Sequence, residues 1–158
     1  MWLGRCVLLL LLAVSAGSEP YAVGDRIEPF TLQDQHGTER RIDASVGVIL
    51  FSREMKGGDV LKRALEGATA ELLDERRAVY VADISRMPGL VARLFAMPSM
   101  RRRPYPMLLD RDGSKTARLP SVDEQATLIF SRNLEVTRVL HLGSAKEVRQ
   151  ELGLPDAP

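Results

Sequence analysis

The sequence predicts an α/β domain built on a mixed sheet, and three patterns carry that expectation. Two runs, 46–51 (VGVILF) and 78–84 (AVYVADI), are almost continuously apolar, as strands buried on both faces are. Stretches with apolar residues at helical spacing follow each of them. Turn chemistry brackets a hairpin near each end of the chain.

Taken in order, Asp34-Gln35-His36-Gly37 reads as a turn joining Phe30-Thr31-Leu32 to Arg40-Arg41-Ile42, an N-terminal hairpin. Residues 46–51 form the first central strand. Gly57-Gly58-Asp59 ends it, and Asp59 is suited to cap the helix that follows. From there Val60, Leu61, Ala64, Leu65, Ala68, Leu72 and Leu73 make one inward stripe with the charges opposite. Residues 78–84 form the second central strand. Pro88 fits the first turn of another helix, whose inward residues are Leu90, Val91, Leu94 and Phe95. Residues 105–109 make a third strand, closed by the turn Asp110-Arg111-Asp112-Gly113. Residues 126–130 and 136–141 pair around Ser131-Arg132-Asn133, and Ser144 caps a last helix through Leu152. Alternation of this kind implies a sheet with a parallel centre and helices on both faces.

Ahead of the domain stands a different composition. Residues 1–5 carry one positive charge, residues 6–13 (CVLLLLLA) are apolar, and Val14-Ser15-Ala16 offers small residues for cleavage. That is the layout of a secretory leader. The run is short of the roughly 20 apolar residues that span a bilayer, so no transmembrane anchor is expected after cleavage. The expected division is a cleaved leader at 1–16, a domain over 17–152 and a short flexible tail at 153–158, with the mature protein periplasmic or secreted. The chain has one cysteine, Cys6, and it lies in the leader. The mature form is then expected to lack disulfide, thiol-peroxidase and cysteine–metal chemistry. Of the 22 basic and 21 acidic residues only Arg5 falls in the leader, leaving the signs balanced. A balanced chain is not expected to be a dedicated nucleic-acid binder.

The stretch from Val23-Gly24-Asp25 through Pro29-Phe30-Thr31-Leu32 to Asp34-Gln35-His36-Gly37 resembles the opening of peroxiredoxins and exported thiol:disulfide reductases. Val48-Ile49-Leu50-Phe51 is similar to the strand leading into their active cysteine. Pro106-Met107-Leu108-Leu109 and Ala126-Thr127-Leu128-Ile129-Phe130 resemble later strands of the same superfamily. The resemblance implies a thioredoxin-like three-layer α/β/α sandwich with a mixed sheet and an N-terminal β-hairpin, nearest to bacterial envelope members that lack the redox cysteines. It also shows what is missing. Lys56 and Asp59 stand where a CxxC pair would lie, and Glu124-Gln125 stands where the family's cis-proline falls. A helix N-terminus makes a thiolate a usable nucleophile, and neither lysine nor aspartate replaces that chemistry.

The best place for a ligand is the ancestral active-site loop: Arg53, Glu54, Lys56 and Asp59, with backbone amides of 56–59 as a possible anion site, and Asp83 at the end of the second central strand. Met97 and Met100 form an MxxM pair of soft thioethers suited to Cu(I), although methionine at such spacing also fills cores. Arg101-Arg102-Arg103 is a compact basic run, open to reading as a solvated loop or as a contact with lipid head groups, a partner protein or nucleic acid. Three arginines fall short of the roughly 4–8 that mark a lipid-binding cluster. His36 and His141 have no metal-ligand spacing around them, and no phosphate loop or nucleophile elbow is present. The expected function is a non-redox binding or accessory protein of the cell envelope, without cofactor, whose partner is a protein or small molecule. The alternatives are an oxidoreductase working through a partner's thiol or an external cofactor, and a methionine-based copper handler.

Overall fold

A computed structural model describes residues 19–155; the expected leader, with Cys6, and the last residues of the tail lie outside the described residues. Seven strands form one sheet: β1 (Phe30–Asp34), β2 (Glu39–Ile42), β3 (Val48–Ser52), β4 (Ala78–Asp83), β5 (Met107–Asp110), β6 (Ala126–Arg132) and β7 (Glu135–Leu142). Their order across the sheet is β2-β1-β5-β4-β3-β6-β7. β3, β4 and β5 run parallel, and antiparallel pairs flank them on either side. The mixed sheet with an N-terminal hairpin is as the sequence predicts.

Side chains alternate along the central strands between two cores. Val48 and Leu50 of β3, with Tyr80 and Ala82 of β4, join one cluster; Ile49, Phe51 and Val81 join the other. The helices are α1 (Met55–Ala64), α2 (Ala70–Glu75), α3 (Gly89–Val91), α4 (Met97–Arg101) and α5 (Ala145–Glu151), with a π turn over Ala92–Ala96 joining α3 to α4. The expectation of helices on both faces needs refinement. The buried apolar side chains of the helices all belong to the first cluster, among them Val60, Leu61, Leu73, Met97 and Val148. The cause is topological. β3, β4 and β5 follow one another in a single direction across the sheet, so two right-handed crossovers place their helices on the same side. Among the described residues, Tyr21, Ile27 and Leu119 from non-helical segments cover the other face.

That cover is pinned firmly. Tyr21 donates its N–H to the Arg118 carbonyl at 2.8 Å, and its hydroxyl accepts from Glu28 N–H at 3.2 Å. The Arg118 guanidinium sits 4.1 Å above the Tyr21 ring. Downstream, Gly24 and Ile27 donate to the carbonyls of Val136 and Leu134, both at 2.8 Å.

Four local expectations change. α1 begins at Met55, so Asp59 is not its cap but lies in its second turn, and Gly57 and Gly58 are helical. The single stripe expected from Val60 to Leu73 is two helices, broken where Gly67 takes φ +77° and Thr69 caps α2 by accepting from Leu72 N–H. Leu90, Val91, Leu94 and Phe95 do not face the core; Leu90 is 69% exposed and Phe95 70%. The π turn inserts an extra residue into the helical repeat, so the stripe loses phase with Met97, which is buried. The last helix is as expected: Ser144 and Glu147 close a reciprocal capping box. The turn before it shifts by one residue, to Asn133 and Leu134, both with positive φ as a two-residue hairpin loop demands.

Candidate functional site

α1 and the α3–α4 segment lie side by side over the parallel strands, and a cavity of about 690 Å³ opens between them. α1 contributes Met55, Gly58, Asp59 and Lys62, spaced as one face of a helix. The floor is Ser52 at the end of β3, Tyr80 in β4, and Tyr105 and Met107 leading into β5.

Buried Gln35 fixes part of that floor. Its side-chain amide donates to the Tyr105 carbonyl and its oxygen accepts from Met107 N–H, both at 2.8 Å, on either side of Pro106. The one side chain thus satisfies the Tyr105 carbonyl and the Met107 N–H, which flank a proline that has no N–H to donate. Gln35 read as a turn residue in the sequence, and no local signal pointed to this role.

Two hydroxyls meet on the floor, Ser52 Oγ and Tyr80 Oη, 3.4 Å apart. A Cβ at Gly58 would meet Ser52 Oγ at 3.7 Å and Tyr80 Oη at 3.8 Å, ordinary contact distances, so only a longer side chain there would cover the pair. Burial pushes the Tyr80 phenol up to about 12, and the Ser52 hydrogen bond only partly opposes it. The side chain is therefore a neutral donor at any physiological pH. An unfolded tyrosine ionises near 10, so Tyr80's contribution to stability is complete below about pH 10 and is lost as pH rises through about 12. Tyr80→Phe is expected to make the alkaline loss of stability shallower in urea denaturation across that window. An unchanged pH profile would contradict the assignment.

The candidate loop residues divide by role. Arg53, Glu54, Asp59 and Asp83 all reach the cavity wall, whereas Lys56 does not. Arg53 is a brace. Its Nη2 donates to the carbonyls of Thr116 at 2.8 Å and Leu119 at 2.9 Å, its Nε donates to Ser121 Oγ at 3.0 Å, and Nη1 reaches Asp83 at 3.3 Å. Asp83 is buried and spends its other oxygen on the N–H and hydroxyl of Ser85, at 3.0 and 2.6 Å. Both side chains thus tie β4 to the loop at 116–121. The Glu54 carboxylate accepts from Glu124 N–H, and Lys56 pairs with the Glu124 carboxylate. That hydrogen bond raises the Lys56 pKa. Gly58 N–H donates to the Glu54 carbonyl at 3.0 Å, so the amides expected to bind an anion are partly drawn into the helix.

Met97 sits in the core while Met100 lines the cavity, so the MxxM pair is divided between two environments. Met55, Met87, Met100 and Met107 instead share the cavity wall, a soft surface that adapts to different apolar shapes. Among the described residues no group of three or more His, Cys, Asp or Glu is placed to hold a metal ion. His141 Nδ1 lies 3.0 Å from Thr127 Oγ1, and burial lowers its pKa.

No protein-family model matches the sequence, and no curated protein matches it. Solved structures do. The chain is similar to the peroxidoxin BcpB of Mycobacterium tuberculosis, with TM-score 0.55, 22% identity, and coverage of 82% of this chain and 92% of that one. The fold is thioredoxin-like. A putative protein disulfide isomerase from Bacteroides thetaiotaomicron matches with TM-score 0.56 and 14% identity over 84% of this chain and 86% of its own. A secreted Mycobacterium tuberculosis disulfide oxidoreductase matches with TM-score 0.52 and 15% identity over 78% of this chain and 94% of its own. At these identities the likeness concerns the thioredoxin-like fold alone. The chain's one cysteine, Cys6, lies outside the described residues. Among the described residues no peptide bond is cis.

Proposed function

We propose that this chain is an exported, non-redox thioredoxin-like protein that holds a small apolar ligand and serves as a binding or accessory protein of the cell envelope. The observation that carries the reading is the cavity between α1 and the α3–α4 segment, with methionine walls and a hydroxyl pair on its floor. Its volume lies in the range of sites for small organic molecules, which combine apolar walls with a few fixed polar groups. The ligand class that suits it is an apolar body with one hydrogen-bond acceptor for Tyr80. The leader-like composition of residues 1–16 supports export, and the place of the only thiol within that stretch supports a role outside redox chemistry.

Two assays test this. The purified chain and its Cys6→Ser variant are expected to reduce neither peroxide nor insulin disulfides with a thiol donor, and turnover above a heat-treated control would overturn the non-redox reading. The probe 1-anilinonaphthalene-8-sulfonate is expected to bind the cavity, and Gly58→Leu, which fills the floor, to weaken it by about tenfold or more. Equal binding by both proteins would overturn the ligand site.

A further inference from the structure

On the helical segment beside the cavity, Leu90, Leu94, Phe95, Arg93 and Arg101 take no part in lining it. Between Asp83 and Asp110 the sequence holds no acidic residue and five arginines: Arg86, Arg93, Arg101, Arg102 and Arg103. None of the five has a carboxylate partner among the described residues. On the same segment Leu90, Leu94 and Phe95 stand exposed. Scattered apolar residues on a surface mean little, but a contiguous group rimmed by one sign of charge marks an interaction site. The expected inward stripe is an outward one, because the π turn separates it from buried Met97.

A depression of about 650 Å³ adjoins this surface, lined by Arg93, Arg101 and Arg111 together with Ala92, Gly89 and other uncharged residues, and by no carboxylate. Arg101 Nε donates to the Gln35 carbonyl at 3.3 Å, but none of the three arginines meets a carboxylate, and apolar projections beside them suit a ligand that is apolar in one layer and anionic in the next.

From this juxtaposition we propose that the α3–α4 segment is a membrane-surface anchor that lies on a bilayer containing anionic phospholipids. Leu90, Leu94 and Phe95 enter the boundary between head groups and acyl chains, and Arg93, Arg101 and Arg111 take the phosphates. A helix with an apolar face and a cationic rim lies in the interfacial plane rather than crossing the bilayer. Among the described residues no helix is long and apolar enough to cross a membrane. Arg101 and Arg102 of the run gain Arg93 and Arg111 once the chain is folded, whereas Arg86 and Arg103 line the cavity; four arginines reach the lower end of the expected cluster size.

The test is vesicle co-sedimentation of the full chain on phosphatidylcholine alone and on phosphatidylcholine with phosphatidylglycerol. Binding is expected only to the anionic vesicles, and to weaken as salt is added. Leu94→Glu/Phe95→Glu should reduce binding by about tenfold or more and Arg101→Gln/Arg102→Gln by about thirtyfold, since each arginine near an anionic surface contributes about 1 kcal/mol. All these sites are exposed, and near-ultraviolet circular dichroism confirms that the variants fold. The apolar run at 6–13 is common to all the proteins, so equal binding by wild type and Leu94→Glu/Phe95→Glu would overturn the anchor. So would failure to bind anionic vesicles. Protection from heat by inorganic phosphate or by soluble polyglutamate, without vesicle binding, would overturn it in favour of a free anion or an acidic protein. Anilinonaphthalene binding that survives in Leu94→Glu/Phe95→Glu keeps the two proposals separable.

Discussion

Gly57→Ala is expected to destabilise the protein by about 3 kcal/mol, while Gly58→Ala, one residue further on, stabilises it by about 0.5–1 kcal/mol. Both glycines lie inside α1, where alanine is the better helix former. They differ in what a side chain would meet. At Gly57 a Cβ overlaps the Gln125 carbonyl oxygen and crowds its carbon at 3.1 Å, all of it backbone leading into β6. Backbone does not swing aside as a side chain does, so α1 must move off the sheet or β6 must shift. At Gly58 the nearest atoms are two hydroxyl oxygens at ordinary contact distance. Urea denaturation midpoints for the two variants decide the matter: midpoints shifted in the same direction would contradict this account of the α1–β6 contact.

Arg53→Met should cost about 3 kcal/mol. Methionine keeps the length of the stem but removes every donor that joins β4 to the 116–121 loop. Asp83, with only 2% of its side chain exposed, would keep its Ser85 hydrogen bonds but lose its only charged partner. The carbonyls of Thr116 and Leu119 would lose theirs as well. Lys56→Ala offers the contrast, because Lys56 and Glu124 are both largely exposed and water replaces what the pair provides. If Lys56→Ala shifted the denaturation midpoint as far as Arg53→Met, Arg53 would not be the brace described.

How far the sequence disclosed this depends on whether the cause was local. β3 and β4 were legible because nearly every position is buried, which leaves an unbroken apolar run. The last helix was legible because a capping box is complete within four residues. The start of α1 was not. Gly57 and Gly58 read as a helix break, yet Gly57 is glycine because β6, some seventy residues away, approaches it. The stripe at 90–95 carries correct helical spacing and was misjudged, because spacing does not reveal a π turn. At the candidate site, four of the five residues named from the sequence line the cavity. Their duties were hidden, since the partners of Arg53 lie in a loop over sixty residues downstream. Tyr80 and Gln35 were missed; a tyrosine in an apolar strand and a glutamine in a turn carry no sign of their tertiary contacts.

The clamp on Tyr21 sets a limit on how far the amino terminus can be trimmed. A chain beginning at Gly17 retains the Tyr21 ring, the Arg118 stack and the tether to Glu28. A chain beginning at Val23 discards all three and opens the helix-free side of the sheet to water over Leu119. A cut after Ala22 would therefore leave one flank of the sheet unsealed.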